Sequence, residues 1–319
     1  MFEVSVIVLT LNSERHISRC LASMVDQTFK NFEVIIVDAG SNDRTLDIIE
    51  SYKKRLSLQV LSAPKTSMGE ARNVGIRHAR GNILAYCDSD DRYLPKKLEL
   101  QLGYFRSLKN KNVVVFSDIL IEDSSSMLKF ESPRYTRKFF QHGLIDVVRH
   151  QGCNLSSMLV PKNTKSTVYF SEGAAGRFGE DWQYNISLAV AGLNFKFFPG
   201  YYSIVEERSD SHSSWSNQHL LKWYVIEHLY KNKDLLLQMG VSKTRWCMAI
   251  FSHWVKFFVS CPVAGCVEFP LTQNYTSIGK KPWALQWYKL AIPIIRVINK
   301  SGFFKYIWIL KRKRSRKIT

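Results

Sequence analysis

The sequence predicts an α/β protein, a doubly wound and mainly parallel sheet followed by a helical region. Three observations carry that reading. Four strand-like runs, the last ending at Asp88, alternate with three helix-like runs. The strand-like runs are nearly continuous apolar stretches rich in Val and Ile, as strands buried on both faces are. From Trp215 onward the pattern turns helical.

Val4 to Leu9 is a β-branched run suited to a first strand, and Ile17, Leu21, Met24 and Val25 then recur at helical spacing. Glu33 to Val37 makes the second strand and ends in Asp38. Ala39-Gly40-Ser41-Asn42-Asp43 then turns the chain into a helix carrying Leu46, Ile48, Ile49 and Tyr52. A weaker strand at Gln59 to Leu61, a helix from Met68 to Ala79 and a strand ending at Asp88 complete the alternation. With strands in the order three, two, one, four, the first and fourth lie side by side at the topological switch point, where ligands bind at strand carboxyl ends. Thr10, Leu11, Asn12, Asp38 and Asp88 to Asp91 lie at such ends and are expected to line one cleft.

Beyond a helix from Pro95 to Leu108, a strand is expected at Val113 to Phe116. Asp118 to Lys129 reads as a sheet-edge excursion with a polar tip at Asp123 to Ser126, and Tyr135 to His150 as loosely helical. Leu155 to Val160 reads as a strand, Gly173 to Gly179 as a mobile loop, and Glu180-Asp181-Trp182 as the head of a helix. Short strands at Phe195 to Phe198 and Tyr201 to Val205 close this part. Polar Ser209 to Ser214 marks a boundary, followed by helices at Leu220 to Leu237 and Arg245 to Val259.

The 319 residues suffice for a large core, and 45 Lys and Arg against 27 Asp and Glu give a net charge of +18. That charge favours an anionic partner: nucleic acid, acidic lipid or a phosphorylated substrate. Cys20, Cys87, Cys153, Cys247, Cys261 and Cys266 contain no Cys-x-x-Cys pair and read as reduced cytosolic thiols; Cys261 and Cys266 with His253 match no zinc spacing. Met1 to Thr10 has neither a basic leader nor a cleavage site and reads as a strand, not a signal peptide.

Asp88-Ser89-Asp90-Asp91 puts three carboxylates at one sheet edge. Like charges this close raise one another's pKa unless a cation or a set of N–H donors neutralises them, and hard oxygen ligands suit Mg²⁺ or Mn²⁺. The alternative is that Asp91 caps the helix announced by Pro95 while the other two carboxylates are solvated.

Val6 to Asn12, Val37 to Asp43, Gly69-Glu70-Ala71-Arg72-Asn73-Val74-Gly75, Asp88-Ser89-Asp90-Asp91 and Gly179-Glu180-Asp181-Trp182 together resemble the ordered motifs of family 2 glycosyltransferases, over roughly the first two thirds of the chain. The resemblance implies the GT-A fold, with a nucleotide-sugar half at 1–117, an acceptor half at 118–210 and a helical region at 211–319. It implies that Mn²⁺ or Mg²⁺ at Asp90 neutralises the leaving diphosphate, with Asp88 on the ribose or a metal-bound water. Asp38 would hydrogen-bond the base, Arg72 would reach the diphosphate, Thr10 and Asn12 would line the nucleotide cleft, and His212 would lie in a loop over the diphosphate. Asp181 would be the general base of an inverting transfer, with Glu180 holding the acceptor. Family members often carry a second Asp beside Asp38; here that position is Ala39. Thr244-Arg245-Trp246 lacks the Gln of the processive motif, so one sugar per binding event is expected.

Pro282 to Ile298 and Phe303 to Leu310 place aromatics beside Lys311-Arg312-Lys313-Arg314, too short and too charged for a spanning helix and suited to an anionic membrane surface. The alternative is a packed helix with a basic tail. A peripheral enzyme on the cytoplasmic face, meeting a saccharide or lipid-linked saccharide acceptor, follows. No nucleic-acid partner is expected, since no recognised module is present. Thr10 to Arg15 lacks Gly-x-Gly-x-x-Gly, which argues against an NAD-dependent enzyme. A non-catalytic, membrane-associated protein that binds sugar nucleotides is the alternative from another class.

Overall fold

The computed structural model describes residues 2–123, 128–131, 153–162, 167–207 and 218–260. The expected helix at Tyr135 to His150, the polar tip at Asp123 to Ser126 beyond its first residue, His212 and the aromatic and basic tail lie outside the described residues.

Strands β1 (Val4–Thr10), β2 (Phe32–Asp38), β3 (Leu58–Ser62) and β4 (Ile83–Asp88) alternate with helices α1 (Ile17–Val25), α2 (Thr45–Tyr52) and α3 (Met68–His78). They pair in parallel in the expected order β3-β2-β1-β4. Beyond β4 the sheet is mixed. Short β5 (Arg92–Tyr93) and α4 (Lys97–Ser107) lead to the long β6 (Val113–Asp123), which folds back through β7 (Leu128–Glu131). The full order is β3-β2-β1-β4-β8-β6-β9-β5, with β8 (Leu159–Pro161) antiparallel to both β4 and β6, and β9 (Asn194–Glu207) parallel to β6.

Side chains alternate between two cores because successive strand residues point to opposite faces. Val4, Val6, Val8, Val34, Ile36, Ala85 and Cys87 face α1, α2 and α4, whereas Ile7, Ile35, Val37, Leu84 and Tyr86 face α3 and α5 (Glu180–Val190). The opposite side of α5, through Trp182, Ile186 and Ala189, packs on α6 (Gln218–Lys231), α7 (Lys233–Gln238) and α8 (Lys243–Ser260). The described helical region is therefore welded to the helix that begins with Glu180 and Asp181.

Three elements differ from expectation. Leu155 to Val160 is not one strand: Asn154 accepts from the Ser156 N–H and winds 155–157 into a 3-10 turn before β8. The two short strands around Pro199-Gly200 are one strand, β9, kept continuous by bulges opposite Phe116 and Asp118. Leu220 to Leu237 breaks into α6 and α7 at Asn232, which leaves helical geometry and donates its side-chain amide to the His228 carbonyl. Cys20, Cys87, Cys153 and Cys247 are free thiols, as expected. Among the described residues no helix is long and apolar enough to cross a membrane.

Candidate active site

The carboxyl ends of β1, β2 and β4 are stitched together by hydroxyls and amides. Asn12, at a left-handed φ of 47°, accepts from the Asn42 N–H at 2.9 Å and donates its own N–H to Ser41 Oγ at 2.9 Å. Ser13 Oγ meets Ser89 Oγ at 2.8 Å, which ties the loop after β1 to the acidic turn after β4. Asp38 is buried, and its carboxylate accepts from Gly40 N–H at 3.1 Å, Ser41 N–H at 3.0 Å and Ser41 Oγ at 2.5 Å. That carboxylate shapes the turn after β2. Thr10 Oγ1 beside it is buried and has no hydrogen-bond partner among the described residues.

The Asp91 N–H closes the acidic turn onto the Asp88 carbonyl at 2.9 Å, leaving Ser89 and Asp90 at the tip. Asp91 is buried and turned inward, where its carboxylate accepts from Ser156 Oγ at 2.5 Å and the Glu206 N–H at 3.3 Å. Burial, then the charges of Asp90 and Asp88, push its pKa well above the carboxylate range. It is thus structural, but as a tether to the far half of the chain; α4 starts only at Lys97, with Lys96 as its cap residue. Asp88 and Asp90 stay partly exposed.

Arg72 joins this turn to the second acidic pair. A capping box between Ser67 and Glu70 starts α3, and Gly69 lets the helix approach so closely that a Cβ there would lie 2.0 Å from the Ser171 carbonyl. One turn on, the Arg72 guanidinium donates to Glu180 Oε1 at 2.6 Å and to Asp88 Oδ1 at 2.9 Å. The Arg72 and Glu180 side chains are 5% and 7% exposed and that of Asp88 43%, so the bridge runs from a dry partner to a wet one. The two carboxylates lock the charge on Arg72. Behind it stand Phe170, 5.4 Å from ring centroid to guanidinium carbon, and Tyr184, stacked on Phe170 at 3.9 Å.

Glu180 and Asp181 occupy the first turn of α5, where the helix dipole favours negative charge. Burial raises the Glu180 pKa, Arg72 pulls it back and Asp181 raises it further, leaving it at about 7. Asp181 is partly exposed and accepts from the Trp182 N–H at 2.7 Å. The preceding 173–177 stretch, expected as a mobile loop, is a 3-10 turn held in place: Gln183 donates to the Ala175 and Phe178 carbonyls, and Asn73 brackets Phe170 through both its N–H and its carbonyl.

The structure therefore brings Asp88, Arg72 and Glu180 into direct contact, with Asp90, Asp91 and Asp181 adjoining them in sequence. His212 lies outside the described residues. Ser156, Asn73 and the Ser13–Ser89 pair were missed from sequence. The available signal was Asn154-Leu155-Ser156-Ser157, a polar cap interrupting an apolar run.

The donor set suits a hard divalent ion. Asp90 and Asp88 bring partly exposed carboxylates to one turn, and after burial it is their negative charge that raises the Asp91 pKa. Among the described residues no three His, Cys, Asp or Glu converge as a closed metal cage. Mg²⁺ characteristically takes one or two carboxylates and completes its shell with phosphate and water.

Residues 5–157 match the family model for glycosyl transferase family 2. They form a family 2 glycosyltransferase domain. Among curated relatives, a poly(ribitol-phosphate) β-N-acetylglucosaminyltransferase, TarS of Staphylococcus aureus (strain Mu50), is 42% identical over 101 residues, 30% of this chain and 18% of that protein. WfgD of Escherichia coli, a UDP-Glc:α-D-GlcNAc-diphosphoundecaprenol β-1,3-glucosyltransferase, is 32% identical over 133 residues, 41% of this chain and 51% of that one. An uncharacterized glycosyltransferase of Rickettsia prowazekii (strain Madrid E) is 30% identical, over 61% of this chain and 58% of its own. The chain thus spans about half the length, or less, of these relatives. Among solved structures, S. aureus TarS 1-349 with UDP-GlcNAc superposes with a TM-score of 0.55 at 19% identity, covering 82% of each chain. The mannosyltransferase PcManGT of Pyrobaculum calidifontis, with GDP-Man and Mn²⁺, gives 0.53 at 13% identity, covering 95% of this chain and 84% of that one. At such identities the likeness concerns the fold, which is GT-A.

Proposed function

We propose that the chain is an inverting, non-processive glycosyltransferase of bacterial polysaccharide, O-antigen or capsule synthesis. It moves one sugar from a UDP- or dTDP-sugar to a hydroxyl of a saccharide acceptor carried on a lipid.

 The observation that carries this reading is the Arg72 bridge, which draws the acid turn of one half and the acid pair of the other into one site. Two carboxylate groups with different surroundings suit two tasks, one at the leaving group and one at the acceptor. TarS and WfgD both carry out β-transfers, and that of WfgD, from UDP-Glc to a diphosphoundecaprenol-linked sugar, supports the donor and acceptor classes.

Asp181 takes the proton of the acceptor hydroxyl as its oxygen bonds to the anomeric carbon, and the bond from that carbon to the diphosphate oxygen breaks on the opposite side. Glu180, fixed by Arg72, holds the acceptor. Thr10 Oγ1 and the Asn12 loop border the nucleotide, with Asp38 shaping the base pocket. Asp90 and Asp88 would hold Mn²⁺ or Mg²⁺, which when bound supplies positive charge to the leaving diphosphate. The basic, aromatic tail supports peripheral attachment to the cytoplasmic face of an anionic membrane.

The test is release of nucleoside diphosphate from a panel of UDP-, dTDP- and GDP-sugars by the full chain with Mn²⁺ or Mg²⁺ and lipid-linked saccharides. Acceptor-dependent release with a UDP- or dTDP-sugar is expected. Binding of these donors without release under any acceptor would favour a non-catalytic binding protein.

A further inference from the structure

Ser156 reaches the acid turn from the far half of the chain. The antiparallel register pairs Ala85 with Leu159. Three residues on from Ala85 is Asp88, and three back from Leu159 is Ser156, so the register brings the two level. The Ser156 hydroxyl is fully buried and contacts both ends of the turn: it donates to Asp91 Oδ2 at 2.5 Å and accepts from the Asp88 N–H at 3.4 Å. One hydroxyl has a proton to give and lone pairs to receive, so both contacts coexist. The clamp is itself anchored, because Asn154 holds the Ser156 N–H at 2.8 Å and the Ser156 carbonyl accepts from Ser203 Oγ of β9 at 2.6 Å.

We propose that Ser156 is a positioning residue for the metal turn, holding Asp91 inward and the Asp88 backbone in place so that the turn carrying Asp88 and Asp90 keeps the shape in which it takes a divalent cation. The inference rests on the donor reading above. Without the hydroxyl, Asp91 keeps the Glu206 N–H but loses its shortest hydrogen bond, and the Asp88 N–H loses its side-chain acceptor. The turn then has less to hold it in one shape, and a cation must supply the ordering.

The experiment titrates Mn²⁺ with UDP into the purified full chain and follows free Mn²⁺ by electron paramagnetic resonance, for wild type, Ser156→Ala, Ser156→Cys and Ser203→Ala. Ser156→Ala is expected to weaken Mn²⁺ uptake about tenfold, the scale of one hydrogen bond. Ser203→Ala deletes a buried hydroxyl of the same hub that does not touch the turn; it is expected to lower the thermal midpoint and leave Mn²⁺ uptake at the wild-type level. Equal uptake by Ser156→Ala and wild type, or equal losses in Ser156→Ala and Ser203→Ala, overturns the inference. Should Ser156→Ala not fold, Ser156→Cys keeps the volume with a much weaker donor and is judged by the same criteria. Failure of the wild type to take up Mn²⁺ with UDP is a different result: it overturns the donor reading and this inference with it.

Discussion

Asp88-Ser89-Asp90-Asp91 and Glu180-Asp181 share one guanidinium but are held in different ways. The first is a turn, partly exposed, pinned by the hydroxyls of Ser13 and Ser156. The second is a helix end, with Glu180 buried against Arg72 and the rest of α5 packed on the sheet on one side and on α6 and α8 on the other. A turn held by hydroxyls can settle around a cation and a diphosphate. A helix end fixed by packing instead presents its carboxylate in one place, as a base must be presented.

The largest expected effect breaks the acceptor side alone. Asp181→Asn should cut turnover by about 10²–10⁴, the range of a lost general base, in a single-turnover assay with donor saturating. Next comes a test of the bridge. The fold raises the Glu180 pKa from 4.5 to about 7, so it favours the neutral acid, and ionisation removes stability as pH rises through that window. Activity should therefore climb through about pH 7 as Glu180 ionises. Glu180→Gln should flatten that limb of the kcat/KM profile and also the loss of thermal midpoint over the same range. The smallest effect tests the helix end. Gly179 has a φ of 67°, and a Cβ there would lie 2.9 Å from Leu221 Cγ. Gly179→Ala should cost about 1–3 kcal/mol in urea unfolding while leaving Mn²⁺ uptake at the acid turn unchanged.

The parallel half was legible because each of its strands carries its own signal: a β-branched run ending in a turn residue, followed by helical periodicity. The mixed half was not, because its structure is set by pairing between distant segments. β9 reads as two strands, since Pro199-Gly200 interrupts it, and is one strand only because β6 lies along its length. Gly173 to Gly179 reads as a mobile loop by composition, yet its Ala175 and Phe178 carbonyls accept from Gln183. The site followed the same rule. Asp88, Asp90 and Asp181 announce themselves by charge and motif, whereas Ser156 lies 65 residues from Asp91 and its local mark, a polar break in an apolar run, does not say what it meets. Arg72 was recognisable as a partner for an anion, and the structure supplies two carboxylates as the anions it holds.

The division of labour between the two acid clusters is tested most directly by calorimetric titration of UDP with Mn²⁺ into Asp90→Asn and Asp181→Asn. The account expects Asp181→Asn to bind as the wild type does and Asp90→Asn to lose most of its affinity. Equal affinity in Asp90→Asn and the wild type, or equal losses in both variants, would contradict it.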